Sequence, residues 1–174
     1  GKLDGILTDL TQITSIRQGN VEYVNIDLAK MVQAAVKEFK GHPDVRNLTF
    51  KTQIKMKRKI SSDAAILRMV FRNLIGNAIK YQKENGKNPF LKISASEGEE
   101  VTLIIFEDNG IGVDDNVVNS IFDMFIRGTS ESKGSGLGLY MVRTGLDKIN
   151  GSISVESKLG QGSRFTITIP NSSS

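Results

Sequence analysis

Residues 101–113 read VTLIIFEDNGIGV, so an almost unbroken apolar run leads into two acidic residues and two glycines. An Asn-Gly pair behind a strand usually marks a tight hairpin, but residues 113–116 have the pattern of a capped helix start instead. Glycines let a backbone approach a ligand closely, and a carboxylate at the end of a buried strand can accept a hydrogen bond from an exocyclic amine such as that of adenine. The stretch predicts a buried strand that ends in a binding loop, with a simple hairpin as the alternative.

Regular patterns on both sides of this strand predict a sheet and its helices. Residues 90–97, FLKISASE, predict a partner strand across a short turn, and SISVES and RFTITIP predict two more strands around the turn KLGQG. The alternating residues 48–60 predict a half-buried strand, and a long helix is predicted from caps at 61–63 to about Gln82. A further helix is predicted at 137–149. The class is therefore α+β: a two-layer α/β sandwich with a mixed, largely antiparallel sheet covered on one face by helices.

The N-terminal segment has a helical pattern of its own. Leucines and isoleucines recur at spacings of three and four in residues 3–18, which indicates an amphipathic helix. We interpret residues 1–18 as the end of a longer helix and residues 19–25 as a linker. The main domain is expected to span residues 26–170, beginning with a helix at 26–40 that Asp27 caps, and residues 171–174 are expected to be a tail.

Composition excludes several classes of protein. The chain has 174 residues, 39% of them hydrophobic and 24% charged, which is typical of a globular domain and not of a disordered chain. It has no cysteine, which excludes disulfides and thiolate metal sites, and the single histidine, His42, cannot form a multi-histidine site. The sequence has neither a signal peptide pattern nor an apolar run long enough for a membrane span. We expect a cytoplasmic chain, and the sequence leaves open whether a longer parent protein is anchored in a membrane.

The long helix carries an unusual polar face. Its last turns place four polar side chains within about 80° of one another, in line with apolar positions one and two turns earlier: Asn73, Asn77, Lys80 and Tyr81. A buried asparagine without a partner costs about 1–3 kcal/mol. The face is therefore either a solvated helix edge or the wall of a polar pocket, in which an asparagine oxygen could bind magnesium.

A second glycine-rich feature precedes the last predicted helix. In KGSGLGLYMVRTGL, residues 133–146, glycines at every second position open the helix: Gly134, Gly136 and Gly138. Free amides at a helix N-terminus form an anion site. The spacing matches neither the dinucleotide-binding fingerprint nor the P-loop. The segment is either a phosphate cradle or a flexible linker.

The motifs follow one another in an order that resembles a known family. NLIGNAIKYQ, DNGIGV, FDMFIRG, GSGLGLY and GQGSRFTI follow one another along the chain. Together they resemble the N, G1, F and G2 boxes and the closing hairpin of the ATP-binding catalytic domain of sensor histidine kinases, in the superfamily shared with gyrase, Hsp90 and MutL. The resemblance covers about residues 26–170 and implies a Bergerat-type ATP-binding fold, with ATP and magnesium as cofactors.

The resemblance also implies roles for individual residues. Asn77 would be the magnesium ligand, and Asp108 would bind the adenine amino group. The catalytic residues would be Asn73, Lys80 and Arg127. The other nucleotide-binding residues would be Tyr81, Gly110, Gly112, Phe122, Phe125, Gly134, Gly136, Leu137, Gly138 and Ser163. Phe122, Phe125 and Arg127 would begin a mobile lid, which we expect to extend to Gly136.

The chain departs from this family in one important respect. It has no acceptor-histidine motif, and its single histidine, His42, lies in a Gly-His-Pro turn. The resemblance therefore implies a fragment that donates the γ-phosphate of ATP to a histidine on a separate helical domain of the same kinase. The resemblance implies three partners: that acceptor domain, a response regulator receiver domain, and a second copy of the parent protein. The parent protein is expected to be a homodimer. Residues 1–18 resemble the tail of the second acceptor helix.

Two alternatives are weighed against this function. A conformational ATPase of the Hsp90 or MutL type usually has a glutamate one turn before the magnesium asparagine, where this chain has Asn73. A nucleic-acid module would start from the lysines and arginine of residues 51–59, but the chain has no tryptophan and few aromatic residues for base stacking. A sheet edge protected by lysines explains this segment better, so we expect no nucleic-acid partner.

Overall fold

The computed structural model describes residues 2–45, 47–127 and 135–172. The helices are α1 (Lys2–Gln18), α2 (Leu28–Lys40), α3 (Ala64–Lys80) and α4 (Gly138–Lys148). The strands are β1 (Tyr23–Ile26), β2 (Thr49–Lys55), β3 (Ile60–Asp63), β4 (Phe90–Glu97), β5 (Val101–Asp108), β6 (Ser152–Lys158) and β7 (Gly162–Pro170). Two short 3₁₀ helices lie at Pro43–Val45 and Val118–Ser120.

The main sheet has the strand order β2-β4-β5-β7-β6. β2 pairs with β4 in parallel, and the other neighbours in this sheet pair antiparallel. The prediction of a mixed, largely antiparallel sheet is thus confirmed. β2 lies at the sheet edge, as predicted for the lysine-rich segment, and the Lys51 ammonium group lies 4.7 Å from the centre of the Phe90 ring.

The strand register explains which face of the sheet the helices cover. Side chains that lie opposite one another across the strands share a face. The row Ile93, Phe106, Phe165 and Val155 is apolar, and the Phe71 ring of α3 packs on Phe106 with 5.6 Å between ring centres. The opposite face carries alternating charges in the row Lys92, Glu107, Arg164 and Glu156. Alternation in each strand therefore separates a helix-covered face from a polar one.

At one end of the covered face the apolar rows give way to polar side chains. The row next to Phe106 consists of Leu91, Asp108, Ser163 and Ser157. Leu91 is buried, whereas Asp108 and the two serines are only partly buried. The end of the core thus becomes the floor of a polar site.

Local capping signals are confirmed, although some element boundaries differ from those predicted. Asp63 caps α3 by accepting a hydrogen bond from the Ile66 amide, and Asp27 caps α2 through the Lys30 amide. Residues 48–60, predicted as one strand, contain β2 and only the first residue of β3, which extends through the predicted cap segment 61–63 and belongs to a different sheet. No glycine or proline marks the break between them.

Two further expectations about elements are wrong. Residues 23–26, expected to end a linker and start a helix, form β1, which pairs antiparallel with β3. Residues 114–117 form a turn, in which the Asp114 side chain accepts from the Asn116 amide, and the following 3₁₀ helix starts only at Val118. In both cases pairing or packing with distant residues overrides a local helix signal.

The helix α1 packs against the domain. Ile13 is buried in the common core with 3% of its surface exposed, and the Arg17 guanidinium group lies 5.4 Å from the centre of the Tyr140 ring of α4. The Lys148 ammonium group donates to the Gly19 carbonyl at the end of α1. Among the described residues, no helix has both the length and the apolar character needed to cross a bilayer.

We expect the Ile13→Ala variant to lower the free energy of unfolding by about 2 kcal/mol, since it removes a buried side chain that joins α1 to the core. Urea denaturation measures this change. The matched control is Leu7→Ala on the same helix, where the side chain is 54% exposed and we expect a change below about 0.5 kcal/mol. Equal effects of the two variants would contradict the packing of α1.

Candidate functional site

A cavity opens where the polar end of the sheet meets α3 and the start of α4. It is lined by most of the side chains and glycines that the sequence motifs single out, which are Asn73, Asn77, Lys80, Tyr81, Asp108, Gly112, Arg127, Gly136, Gly138 and Ser163. Segments far apart in the chain thus meet at one site. The polar face of α3 forms a wall of this cavity, so the interpretation as a simple solvated helix edge is not needed.

The asparagines of α3 are only partly exposed. The Asn73 side-chain amide group donates to the Met69 carbonyl at 2.9 Å, which fixes its orientation on the helix. Its oxygen faces Gly138 at the start of α4, where a Cβ atom would lie 2.9 Å from that oxygen. A residue larger than glycine would therefore displace either the Asn73 side chain or the start of α4.

Asp108 is a partly buried carboxylate at the end of β5. One carboxylate oxygen accepts a hydrogen bond from the Gly110 amide at 2.9 Å. Burial raises the pKa of Asp108 to about 6, although the amides of Gly110 and Ser163 act in the opposite direction and the charge of Glu107 adds a smaller increase. A carboxylate held in this way can accept a hydrogen bond from a ligand that brings its own donor.

The loop after β5 is wedged between α3 and the β6–β7 hairpin. The Ile111 amide donates to the Tyr81 carbonyl at 2.9 Å, and a Cβ atom on Gly110 would lie 2.4 Å from that same oxygen. Gly112 has φ +74°, and a Cβ there would lie 2.0 Å from the Lys158 carbonyl oxygen. Both glycines are therefore required for backbone packing. Gly110 does not line the cavity itself, but its amide holds the Asp108 carboxylate that does.

Two residues expected to contact the nucleotide lie in the core instead. Phe122 is buried and packs edge-on against Phe165, with 6.2 Å between ring centres, so it supports the site from below and does not belong to a lid. Leu137 is fully buried. Apolar side chains beside a glycine-rich loop serve as anchors here, because the loop has few other side chains that can attach it to the core.

Phe125 and Gly136, from two different motifs, contact each other through their backbones. Phe125 is 54% exposed, has φ +63° and donates its amide to the Gly136 carbonyl at 2.8 Å. A Cβ on Gly136 would lie 2.7 Å from the Phe125 Cα atom. Phe125 itself does not line the cavity, whereas Arg127 does. Gly134 and residues 128–134 of the expected lid lie outside the described residues.

The structure adds Asp9 to the site, which sequence reasoning missed. Asp9 of α1 lines the cavity and accepts a hydrogen bond from the Ser135 hydroxyl at 2.7 Å. Ser135 also accepts from the Leu137 amide at 3.2 Å. A signal was present in the sequence, because Asp9 falls between Ile6 and Ile13 at helical spacings of three and four, on the side of α1 that packs inward.

The chemistry of the site suits a hard cation that is shared with a ligand. Among the described residues, no group of three or more histidine, aspartate or glutamate side chains converges on one point. The amide oxygen of Asn77 is a suitable ligand for magnesium, which usually keeps several waters and binds substrate phosphates. The residues present therefore fit a magnesium ion that arrives with a phosphorylated ligand.

Comparison with known proteins identifies related sequences and folds. Residues 62–173 match the family described as histidine kinase-, DNA gyrase B-, and HSP90-like ATPase. The autoinducer 2 sensor kinase/phosphatase LuxQ of Vibrio vulnificus is 27% identical over 95% of this chain and 20% of its own length. The cyanobacterial phytochrome A of Nostoc sp. is 40% identical over 60% of this chain and 14% of its own length. The chain thus spans a fifth or less of the length of these relatives.

Solved structures show the same fold. Full-length ShkA in complex with AMPPNP superposes with a TM-score of 0.83 at 20% identity, over 99% of this chain and 36% of that one. The catalytic domain of histidine kinase ThkA gives a TM-score of 0.75 at 23% identity, over 87% of this chain and 99% of that one. The α+β sandwich predicted from the sequence is the fold of these catalytic domains.

We expect the Asp108 carboxyl group to titrate near pH 6 in the nucleotide-free protein, and its pKa to fall when ATP binds, since a donating amine favours the ionised carboxylate. Carbon NMR of the side-chain carboxyl groups measures both values. Asp108→Asn assigns the signal, because the titrating resonance disappears in this variant. A pKa that stays constant or rises with ATP would show that the carboxylate does not face an amine.

Proposed function

Because this chain belongs to the family of histidine kinase-, DNA gyrase B- and HSP90-like ATPases, we propose that it is the catalytic domain of a sensor histidine kinase. It binds magnesium-ATP and presents the γ-phosphate to a histidine of another domain. The observation that carries this proposal is the convergence on one cavity of the α3 amides, the Asp108 carboxylate and both glycine-rich loops. Relatives described as sensor kinases support the same function.

Each wall of the cavity suits one part of the nucleotide. Asp108 accepts from the adenine amino group, and Ser163 lies beside it in the same row of the sheet. The α3 wall and the start of α4 face the phosphates, where Lys80 and Arg127 contribute positive charge. Magnesium held by the Asn77 oxygen would neutralise phosphate charge. Phosphoryl transfer requires mainly positioning and such charge stabilisation from the protein.

A conformational ATPase is the alternative function within the same family. It would need a base that activates water near the γ-phosphate. Asn73 occupies the position where such relatives usually have a glutamate, and its amide group is already bound to the Met69 carbonyl. An amide cannot accept a proton from water at neutral pH. This favours transfer to a separate acceptor over hydrolysis.

The only histidine of the chain is unsuitable as the acceptor. His42 uses its Nδ1 atom to accept a hydrogen bond from the Asp44 amide at 3.2 Å, within its own turn. It does not line the cavity. The acceptor therefore belongs to another domain.

The exposed side of α1 suggests how that domain is attached. Leu3 and Leu7 are 68% and 54% exposed, whereas Ile13 packs on the core. An exposed apolar stripe on a helix usually packs against a further helix. We propose that α1 continues into the acceptor helices and that the parent kinase forms a homodimer through them. A response regulator would then receive the phosphoryl group from the histidine.

We expect Asn77→Ala to lose the magnesium dependence of ATP binding, since it removes the proposed ligand. Wild-type protein should bind ATP about tenfold or more tightly with magnesium, and the variant should gain less than about twofold. A titration with a fluorescent ATP analogue, with and without magnesium, measures this. Asn116→Ala, in an exposed turn, is the matched control. An undiminished magnesium effect in Asn77→Ala would refute the assigned role.

We expect the chain to bind ATP without phosphorylating itself, and to phosphorylate in trans a separate helical hairpin that bears the acceptor histidine. Transfer requires the nucleophile in line with the γ-phosphate, and His42 is held elsewhere. The assay uses radiolabelled ATP and an alkaline quench that preserves phosphohistidine.

The comparison with His42→Ala provides the control for this assay. Label on the chain itself that disappears in His42→Ala would contradict the proposal. Repeated ATP hydrolysis in the absence of the hairpin would favour the conformational ATPase instead.

A further inference from the structure

We propose that Ser157 determines base specificity by fixing the Ser163 hydroxyl as a hydrogen-bond acceptor, so that the site selects a purine with an amino group over one with an oxo group. This inference rests on the proposed function, because it concerns the base of the nucleotide that binds there. Ser157 does not line the main cavity itself. It is therefore a positioning residue that acts through Ser163.

The strand register places the two serines and the carboxylate in one row. Ser157 of β6 lies opposite Ser163 of β7, which lies opposite Asp108 of β5. The Ser157 oxygen has three neighbours at 2.8 Å: the Val113 amide nitrogen, the Gly162 carbonyl oxygen and the Ser163 hydroxyl oxygen. Ser157 thus connects the loop after β5 with the strand that carries Ser163.

The chemistry of these three neighbours determines the direction of every hydrogen bond. A hydroxyl group has one proton to donate and two lone pairs that accept. The Val113 amide can only donate, and the Gly162 carbonyl can only accept. Ser157 therefore gives its proton to Gly162 and accepts from Val113. Its remaining lone pair can be used only if Ser163 is the donor in the bond between the two hydroxyl groups.

In this arrangement the Ser163 hydroxyl donates its proton to Ser157. Since its hydrogen points to Ser157, Ser163 offers only lone pairs to the cavity that it lines together with Asp108. The ionised Asp108 carboxylate also offers only lone pairs, and one of its oxygens already accepts from Gly110. Both groups at the base therefore match a ligand that donates, and they repel the oxygen of an oxo group.

The position of the Gly162 carbonyl is itself fixed by close packing. Gly162 has φ +106°, and a Cβ atom there would lie 2.1 Å from the Asp108 carbonyl oxygen. No other residue fits this backbone path without a shift. The close packing of β7 on β5 thus supports the position of the carbonyl that accepts the Ser157 proton.

The test compares the affinities for ATP and inosine triphosphate, whose base has an oxo group in place of the amino group and a proton on the neighbouring N1 atom. We expect wild-type protein to prefer ATP and Ser157→Ala to reduce the ratio of the two affinities about fivefold or more, comparable to one neutral hydrogen bond. The Ser163 hydroxyl loses its partner in this variant and becomes able to donate to the oxo group. Competition against a fluorescent nucleotide gives both affinities.

Matched variants separate this role from a structural one. Ser157→Thr keeps the hydroxyl and should keep the ratio, and Ser154→Ala on the exposed face of the same strand should leave it unchanged. Ser163→Ala should lower the ratio by itself, and adding Ser157→Ala to it should change nothing further. If Ser157 only held the loop in place, Ser157→Ala would weaken both nucleotides equally and preserve the ratio, which would overturn the proposal.

Two outcomes distinguish this inference from the proposed function. Wild-type protein that binds neither nucleotide would overturn both. ATP binding by the wild type together with an unchanged ratio in Ser163→Ala would overturn the inference alone and leave the proposed function intact. The Ser163→Ala measurement can therefore overturn the inference even if Ser157→Ala does not fold.

Discussion

The partly buried carboxylate of Asp108 is the group on which the site depends. It stands at the end of the covered sheet face, in the row where apolar side chains end. Burial raises its folded-state pKa to about 6 from the ordinary value of 3.8. The resulting contribution to stability is fully present below about pH 4 and is lost as the pH rises through about 6. At neutral pH the charge therefore weakens the fold, and a ligand that donates to it offsets this cost.

The backbone around Asp108 is adapted to hold that charge. Gly110, Gly112 and Gly162 each bring one chain segment so close to another that a Cβ atom would overlap a carbonyl group. These contacts pack the end of α3, the loop after β5 and the β6–β7 hairpin together around the Asp108 carboxylate. Because interiors are close-packed, a shift in any of these segments would reach the carboxylate. The same glycines that suggest a binding loop in the sequence thus act mainly through packing between backbone segments.

The other end of the cavity is connected to α1. Asp9 accepts from Ser135, next to the glycines at the start of α4, while Arg17 of the same helix lies over the Tyr140 ring. Together with the hydrogen bond from Lys148 to the Gly19 carbonyl, these contacts fix α1 relative to α4. A carboxylate so close to the proposed phosphate site also places negative charge where the ligand carries its own. Binding of a phosphorylated ligand at the proposed site would therefore be energetically linked to the position of α1.

Local sequence alone determined the strands β4 and β5, the caps of α2 and α3, and the polar face of α3, because side-chain periodicity and capping depend on near neighbours. The order of the motifs indicated the family, although single residues such as Phe122 and Leu137 turned out to lie in the core. Only the tertiary structure decided that residues 23–26 pair with β3, that Asp9 reaches the cavity, and that Ser157 lies opposite Ser163. These features depend on which distant segments meet and in which register, and neither the pattern of one strand nor that of one helix contains this information.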